Sequence, residues 1–316
     1  MSQQLTPAAL RLLSLTLLLV GGGCSTKSPA LDTYRREWRT AGVQPQGMRL
    51  VLTESELDVE NLYPSTVMVR VALERGGSRT CSGVLIDPRL ALTAAHCVCG
   101  IPGAGQRTNK DQPRLGVPAS DGTLMDSSTC TASATVMTVV YKQASKTDSD
   151  HRGRTGRVRA HRDFRIVLDP QGQVLVNEAD LAVIALDEPF SEQEVPPASL
   201  AESAVSLRER VTLVGFGNDS RTHGYSGERR SGKNTVAALE VIGKTFLVGQ
   251  KGSHTLGGDS GGPCFRDGML VGIATTTSTP PVEFSEFTST HFYRDWLKAE
   301  IANARKVRPA TTSGAP

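Results

Sequence analysis

The sequence shows no excess of either charge: 35 Lys and Arg face 32 Asp and Glu, for a net charge of +3. So small an imbalance argues against nucleic acid or an acidic membrane surface as partner. Aromatics are scarce, at 5% of residues. The apolar run from Leu12 to Val20 is too short to cross a bilayer, and no Ala-x-Ala cleavage site follows it. No internal repeat is evident.

What is present fits a chain of short strands and turns. It has 316 residues and 31 glycines, enough length for one large or two small domains with a sizeable core. Val67, Val69, Val71 and Leu73 alternate as on a half-buried strand, and Cys81 to Ile86 continues as a second, turned by Asp87-Pro88. Leu90 to Ala94 delivers His96. Val136 to Tyr141, Leu181 to Leu186, Val211 to Gly217 and Met269 to Ala274 read as further strands. Val236 to Ile242 and Thr245 to Val248 read as a pair joined by Gly243-Lys244. Residues 100 to 133 hold many turn formers and are expected to form a long surface loop. Lys142 to Arg165 is basic, and is read as a solvated insertion loop rather than an exosite for acidic substrates. Phe292, Trp296, Leu297 and Ile301 recur at helical spacing, with Thr290 as the expected cap.

The start of the chain reads as an export signal over residues 1–23, with Arg11 before the apolar run. Gly21-Gly22-Gly23-Cys24-Ser25 resembles the lipobox of bacterial lipoproteins, which implies that Cys24 becomes a lipidated mature N-terminus. Gly21 stands where the lipobox usually has Leu. The competing reading is an ordinary cleaved signal peptide. Residues 24–49 then form a polar tether or propeptide. Six cysteines in an exported chain invite disulfides; with Cys24 set aside, five remain. Cys99 and Cys130 flank the 100–133 loop as a candidate bridge, and Cys264 reads as a free, packed thiol.

The chemistry centres on Gly258-Asp259-Ser260-Gly261-Gly262-Pro263, a serine on a glycine-rich turn whose N–H groups can point at an incoming carbonyl. Upstream lie Leu92-Thr93-Ala94-Ala95-His96-Cys97 and Asn177-Glu178-Ala179-Asp180-Leu181-Ala182-Val183-Ile184. Together the three segments resemble the chymotrypsin/trypsin family of serine proteases. The order His, Asp, Ser is that family's and differs from the subtilisin and α/β-hydrolase orders. The resemblance covers roughly residues 50 to 305. It implies an all-β fold of two six-stranded antiparallel β-barrels, about 50–190 and about 198–290, with the active site between them. A C-terminal helix over 290–305, packed on the second half, and a flexible tail over 306–316 complete the expected organisation.

By that resemblance Ser260 is the nucleophile, His96 its general base and Asp180 the carboxylate that orients the imidazole. The N–H groups of Gly258 and Ser260 form the oxyanion hole, and Cys81 pairs with Cys97. His161, in Ala160-His161-Arg162-Asp163-Phe164, matches a segment that precedes the aspartate in relatives and is structural. His254 falls at the base of the specificity pocket, where an acid would select Arg or Lys, and Thr275-Thr276-Thr277 fall on its wall. Leu256 stands where many relatives have a pocket-closing cysteine. The implied function is an exported serine endopeptidase acting on polypeptides through an acyl-enzyme, with no metal, no cofactor and no nucleic-acid partner. Membrane contact would come only through a lipid on Cys24. Two other functions compete: a catalytically silent binding protein on the same fold, and a non-proteolytic serine hydrolase such as an esterase. No Ile-Val-Gly-Gly start is present; Arg49 followed by Leu50-Val51-Leu52 is the candidate activation site, whose new amine would meet Asp259.

Overall fold

The computed structural model describes residues 52, 55–72, 78–100, 117–119, 122–168, 174–217, 227–240, 244–249, 252–278 and 284–306. The expected signal segment, Cys24, the tether, Arg49, Leu50 and the C-terminal tail lie outside them.

In the first half the chain forms β1 (Glu56–Leu57), β2 (Thr66–Ala72), β3 (Ser78–Asp87), β4 (Leu90–Thr93) and the single-turn helix α1 (Ala95–Val98). β5 (Val117–Ala119), β6 (Gly122–Asp126), β7 (Ser133–Tyr141), β8 (Ser149–Ala160), β9 (Arg165–Leu168), β10 (Val174–Glu178) and β11 (Ala182–Leu186) follow. The second half holds β12 (Arg210–Gly215), β13 (Arg230–Glu240), β14 (Thr245–Val248), β15 (Pro263–Arg266), β16 (Met269–Ser278) and β17 (Phe284–Ser289). The helix α2 (Arg294–Lys306) ends the described chain.

Six antiparallel strands in the order β11-β4-β3-β2-β7-β8 close a first barrel, β8 meeting β11 at pairs such as Val158 with Ile184. The order β13-β12-β15-β16-β17-β14 closes a second barrel through the β13–β14 pairing. The expected fold class is therefore the observed one. Each barrel has apolar residues from its own strands at its core. Val67, Val69, Leu85, Leu92 and Ile184 pack in the first, and Leu213, Val236, Phe246, Val271 and Phe287 in the second. Closure removes the free sheet edges that would otherwise invite pairing with other chains. β1 belongs to neither ring: Glu56 and Leu57 pair with Ser231 and Arg230 of β13. The start of the first-half sequence therefore lies on the second barrel.

Four local readings are corrected. Within 100–133, residues 117–119 and 122–126 are β5 and β6, not loop. With β9 and β10 they form a small sheet in the order β10-β9-β6-β5. These strands are short and rich in turn formers, so their periodicity is weak, and pairing with β9 supplies what local preference lacks. The basic stretch is likewise not a loop, since Ser149–Ala160 is a wall of the first barrel. Arginines fill positions where apolar residues would announce a strand. Arg152 pairs with Glu194, Arg154 with Glu188 and Arg159 with Glu300, so much of the charge is compensated within the protein. Gly156 is needed where β8 crosses β11, because a Cβ there would lie 2.5 Å from the Ala185 carbonyl oxygen.

The terminal helix begins at Arg294. Thr290 does not cap it, for its hydroxyl donates to the Leu270 carbonyl. The helix packs chiefly on β3 and β4 of the first barrel rather than on the second half, with Arg294 at its start reaching Glu202. Leu297 and Ala304 join the first barrel's core, Arg305 bonds Asp87, and Trp296 packs edge-on against His161. Amphipathic spacing sets a helix and its apolar face, but not which barrel receives that face.

Candidate active site

His96 sits on α1, directly after β4. A disulfide joins its neighbour Cys97 to Cys81 on β3. The Arg79 guanidinium bonds the carbonyls of His96 and Cys99, at 2.8 and 3.1 Å. A second disulfide, Cys99–Cys130, ties the end of this turn to the entry of β7. A short helix is thereby held by disulfides and charge-assisted hydrogen bonds that its own length could not provide.

Asp180 follows β10 and precedes β11. Ala179 before it takes a φ of +48°, a left-handed value rare for residues other than glycine. This turn points the carboxylate inward, where it is fully buried. Asp180 Oδ1 accepts the His96 backbone N–H at 2.8 Å, and Oδ2 lies 2.6 Å from His96 Nδ1. The Thr275 hydroxyl donates to the same Oδ2, and Asn177 Nδ2 donates to Thr275 Oγ1 at 3.0 Å. Burial pushes the Asp180 carboxyl up. The facing His96 charge, together with the His96 and Thr275 hydrogen bonds, outweighs it and holds the carboxyl below its usual range.

Ser260 lies across the cleft on the turn that enters β15, half-buried. Its carbonyl accepts the Ser82 N–H at 2.8 Å. No hydrogen bond joins Ser260 Oγ to His96. Nε2 of that ring is 3.9 Å from Cys97 Sγ. Catalytic hydrogen bonds are often open in a ligand-free site and tighten when substrate fills it. The Asp259 N–H bonds the Leu256 carbonyl at 2.9 Å, and Gly258 has a φ of +97°. Residue three of a type II turn takes this conformation, which glycine adopts without steric cost.

Asp259 is also fully buried. It accepts N–H groups from Gly217 at 2.8 Å and Leu256 at 3.0 Å. Gly215 and Gly217 make its space, since Cβ atoms there would fall 2.2 and 2.6 Å from its carboxylate oxygens. Among the described residues no cation forms an ion pair with it. Burial pushes its carboxyl up to about 7, against the two N–H bonds and the more distant charge of Arg230.

His254 is buried beneath this turn, with Nδ1 3.5 Å from Ser285 Oγ. Of the threonines placed on the pocket wall, Thr275 turns its hydroxyl to Asp180 and Thr276 is half-buried. The Thr277 side chain lies outside the described residues. Cys264 is a buried free thiol whose pKa burial raises well above the ordinary value. Cys81, His96 and Cys97 bring three metal-type donors together, but both sulfurs are bound in the disulfide. The structure brings two further residues to the site, Asn177 and Ser82. Asn177 stands in the aspartate segment, and Ser82 stands beside Cys81. Neither carries a motif signal, because each acts through a partner remote in sequence.

The trypsin family model matches residues 59–297. Kallikrein-8 of Mus musculus is 23% identical over 267 residues, covering 78% of this chain and 86% of the relative. Serine protease SP24D of Anopheles gambiae is 28% identical over 237 residues, 72% of each chain. The solved structure of neuropsin, a serine protease expressed in the limbic system of mouse brain, aligns with a TM-score of 0.53 at 17% identity. It covers 78% of this chain and 99% of that one. With the family model spanning both barrels and the cleft between them, this chain belongs to the trypsin family.

Proposed function

We propose that the protein is an exported serine endopeptidase that cleaves polypeptides through an acyl-enzyme. Ser260 Oγ attacks the scissile carbonyl while His96 Nε2 takes its proton. The imidazolium then gives that proton to the leaving amine, and water repeats the sequence on the acyl-enzyme. Asp180 holds Nδ1–H, which leaves Nε2 as the acceptor for the nucleophile's proton. The N–H groups of Gly258 and Ser260 stabilise the oxyanion. The observation that carries this reading is the 2.6 Å contact between His96 Nδ1 and a fully buried Asp180. A dry, hydrogen-bonded carboxylate behind a histidine is what the proton transfer needs.

The two disulfides support export to an oxidising compartment. Cys24 would anchor the chain by lipid, and Cys24→Ser would then release it to the soluble fraction. Cleavage after Arg49 would free the domain from that anchor and supply an amine for Asp259. Leu52, buried against the second barrel's core, supports a path for the start of the domain along that barrel. His254 at the pocket base disfavours Arg and Lys before the scissile bond, and neutral or acidic residues are preferred.

A fluorophosphonate probe and a peptide library test the proposal together. Labelling at Ser260 and peptide cleavage, both lost in Ser260→Ala, are expected. Absence of labelling would leave the silent binding protein, and labelling without peptide cleavage the esterase. A library profile dominated by Arg and Lys would overturn the role given to His254.

A further inference from the structure

The oxyanion turn belongs to the second barrel, and the histidine belongs to the first. One residue ties them together, with three hydrogen bonds to the second barrel and one within the first. Ser82, on β3, is fully buried. Its hydroxyl donates to the Gly258 carbonyl at 2.9 Å and accepts the Phe216 N–H at 2.8 Å. Its backbone N–H donates to the Ser260 carbonyl at 2.8 Å, and its own carbonyl accepts the Thr93 hydroxyl at 2.7 Å.

These contacts surround the groups that would receive a developing negative charge. The peptide plane between Gly258 and Asp259 is held at both ends: its carbonyl by Ser82 Oγ, its N–H by the Leu256 carbonyl. The next carbonyl but one, that of Ser260, is held by the Ser82 N–H. Phe216 lies between the two glycines that make room for Asp259, so the same hydroxyl also fixes the strand end beneath the turn. On its other side Ser82 adjoins Cys81, whose disulfide partner Cys97 adjoins His96. A covalent and hydrogen-bonded path of a few residues therefore sets the distance between base and oxyanion donors. Gly261 brings the turn against this path, since a Cβ there would fall 2.1 Å from Thr93 Oγ1 and 2.4 Å from the Ser82 carbonyl oxygen. A glycine at φ +97° is cheap to displace, so the turn needs an outside restraint to hold its N–H groups in one direction.

We propose that Ser82 is a positioning residue of the oxyanion turn, its hydroxyl bridging Gly258 and Phe216 so that the two donors face the transition state. This rests on the protease reading above. Removing the hydroxyl leaves a buried carbonyl and a buried N–H without this partner, and the turn relaxes to satisfy them. The loss then falls on interactions made in the transition state rather than on substrate binding.

The test compares wild type with Ser82→Ala and Ser82→Gly on the best peptide from the library, with a peptidyl boronic acid of the same sequence as transition-state probe. Both variants are expected to lose about tenfold in kcat and a similar factor in boronate affinity, with KM within about twofold of wild type. Thermal melts and fluorophosphonate titration identify the folded, active fraction to which rates are normalised. If the alanine variant does not fold, the glycine variant carries the comparison. Unchanged kcat and boronate affinity, or a rise in KM alone, overturns the role of Ser82. A wild type that neither labels nor cleaves overturns the protease reading instead, and the two failures are thereby distinct.

Discussion

Asp180 and Asp259 are both fully buried carboxylates, one before β11 of the first barrel and one before β15 of the second, yet the protein treats them in opposite ways. Asp180 has a cation-forming partner, a backbone N–H and a hydroxyl, and its pKa is held down. Asp259 has two N–H donors and no cationic partner among the described residues, and its pKa rises to about 7. Equal burial therefore does not give equal charge; the supply of opposite charge and donors decides. A third buried acid, Asp58, has its partner within the chain. The fully buried Arg229 bonds it at 2.7 Å and also reaches Asn61 and the Val139 carbonyl. Two of these acids face an opposite charge among the described residues, and Asp259 does not.

The largest effect is expected from removing the charge of Asp180. Asp180→Asn keeps the shape but presents an amide to Nδ1, which favours the wrong imidazole tautomer. A fall in kcat of about 10⁴ is expected, measured on the library peptide at neutral pH. A fall of less than tenfold would mean that Asp180 does not orient His96.

An intermediate effect is expected from thinning the donors around that carboxylate. Thr275→Val removes one hydrogen bond to Asp180 and leaves Asn177 Nδ2 without its acceptor. About a tenfold loss in kcat/KM is expected, with the acid limb of the pH–rate profile displaced. An unchanged profile would show that His96 alone sustains the charge on Asp180.

The smallest effect, and the one that sharpens the comparison most, concerns Asp259 in the uncleaved chain. Its folded pKa is above the unfolded value, so the folded state holds a proton that the unfolded chain releases. The stability this contributes is complete below the unfolded pKa of 3.8 and is lost as pH rises through about 7. Melting temperature should therefore decline across that window, and Asp259→Asn should flatten the decline. If an amine created after Arg49 pairs with Asp259, the cleaved form should lose this slope. Its activity should instead fall at alkaline pH, as the amine, with an ordinary pKa of about 7.7–8.0, gives up its proton. The same slope in cleaved and uncleaved protein would rule out that pairing, and full activity of uncleaved Arg49→Gln would rule out activation by release.

The sequence by itself determined the class of fold and the local segments on which the proposed chemistry rests. His96, Asp180 and Ser260 stand in recognisable local segments, and short apolar runs bounded by turn formers announced most barrel strands, because both signals are written in adjacent residues. Only the tertiary structure decided what lay beyond local pattern. β8 was hidden because arginines occupy its positions, and their cost is offset by Glu188, Glu194 and Glu300, all remote in sequence. The terminal helix was foreseen, but its docking on the first barrel depends on partners such as Asp87 and His161. Asn177 and Thr275 meet only when both barrels are folded, as do Ser82 and Gly258. Hydrogen bonds and ion pairs act over a few ångströms in space and leave no periodicity along the chain, so they become readable only once folding has brought their two ends together.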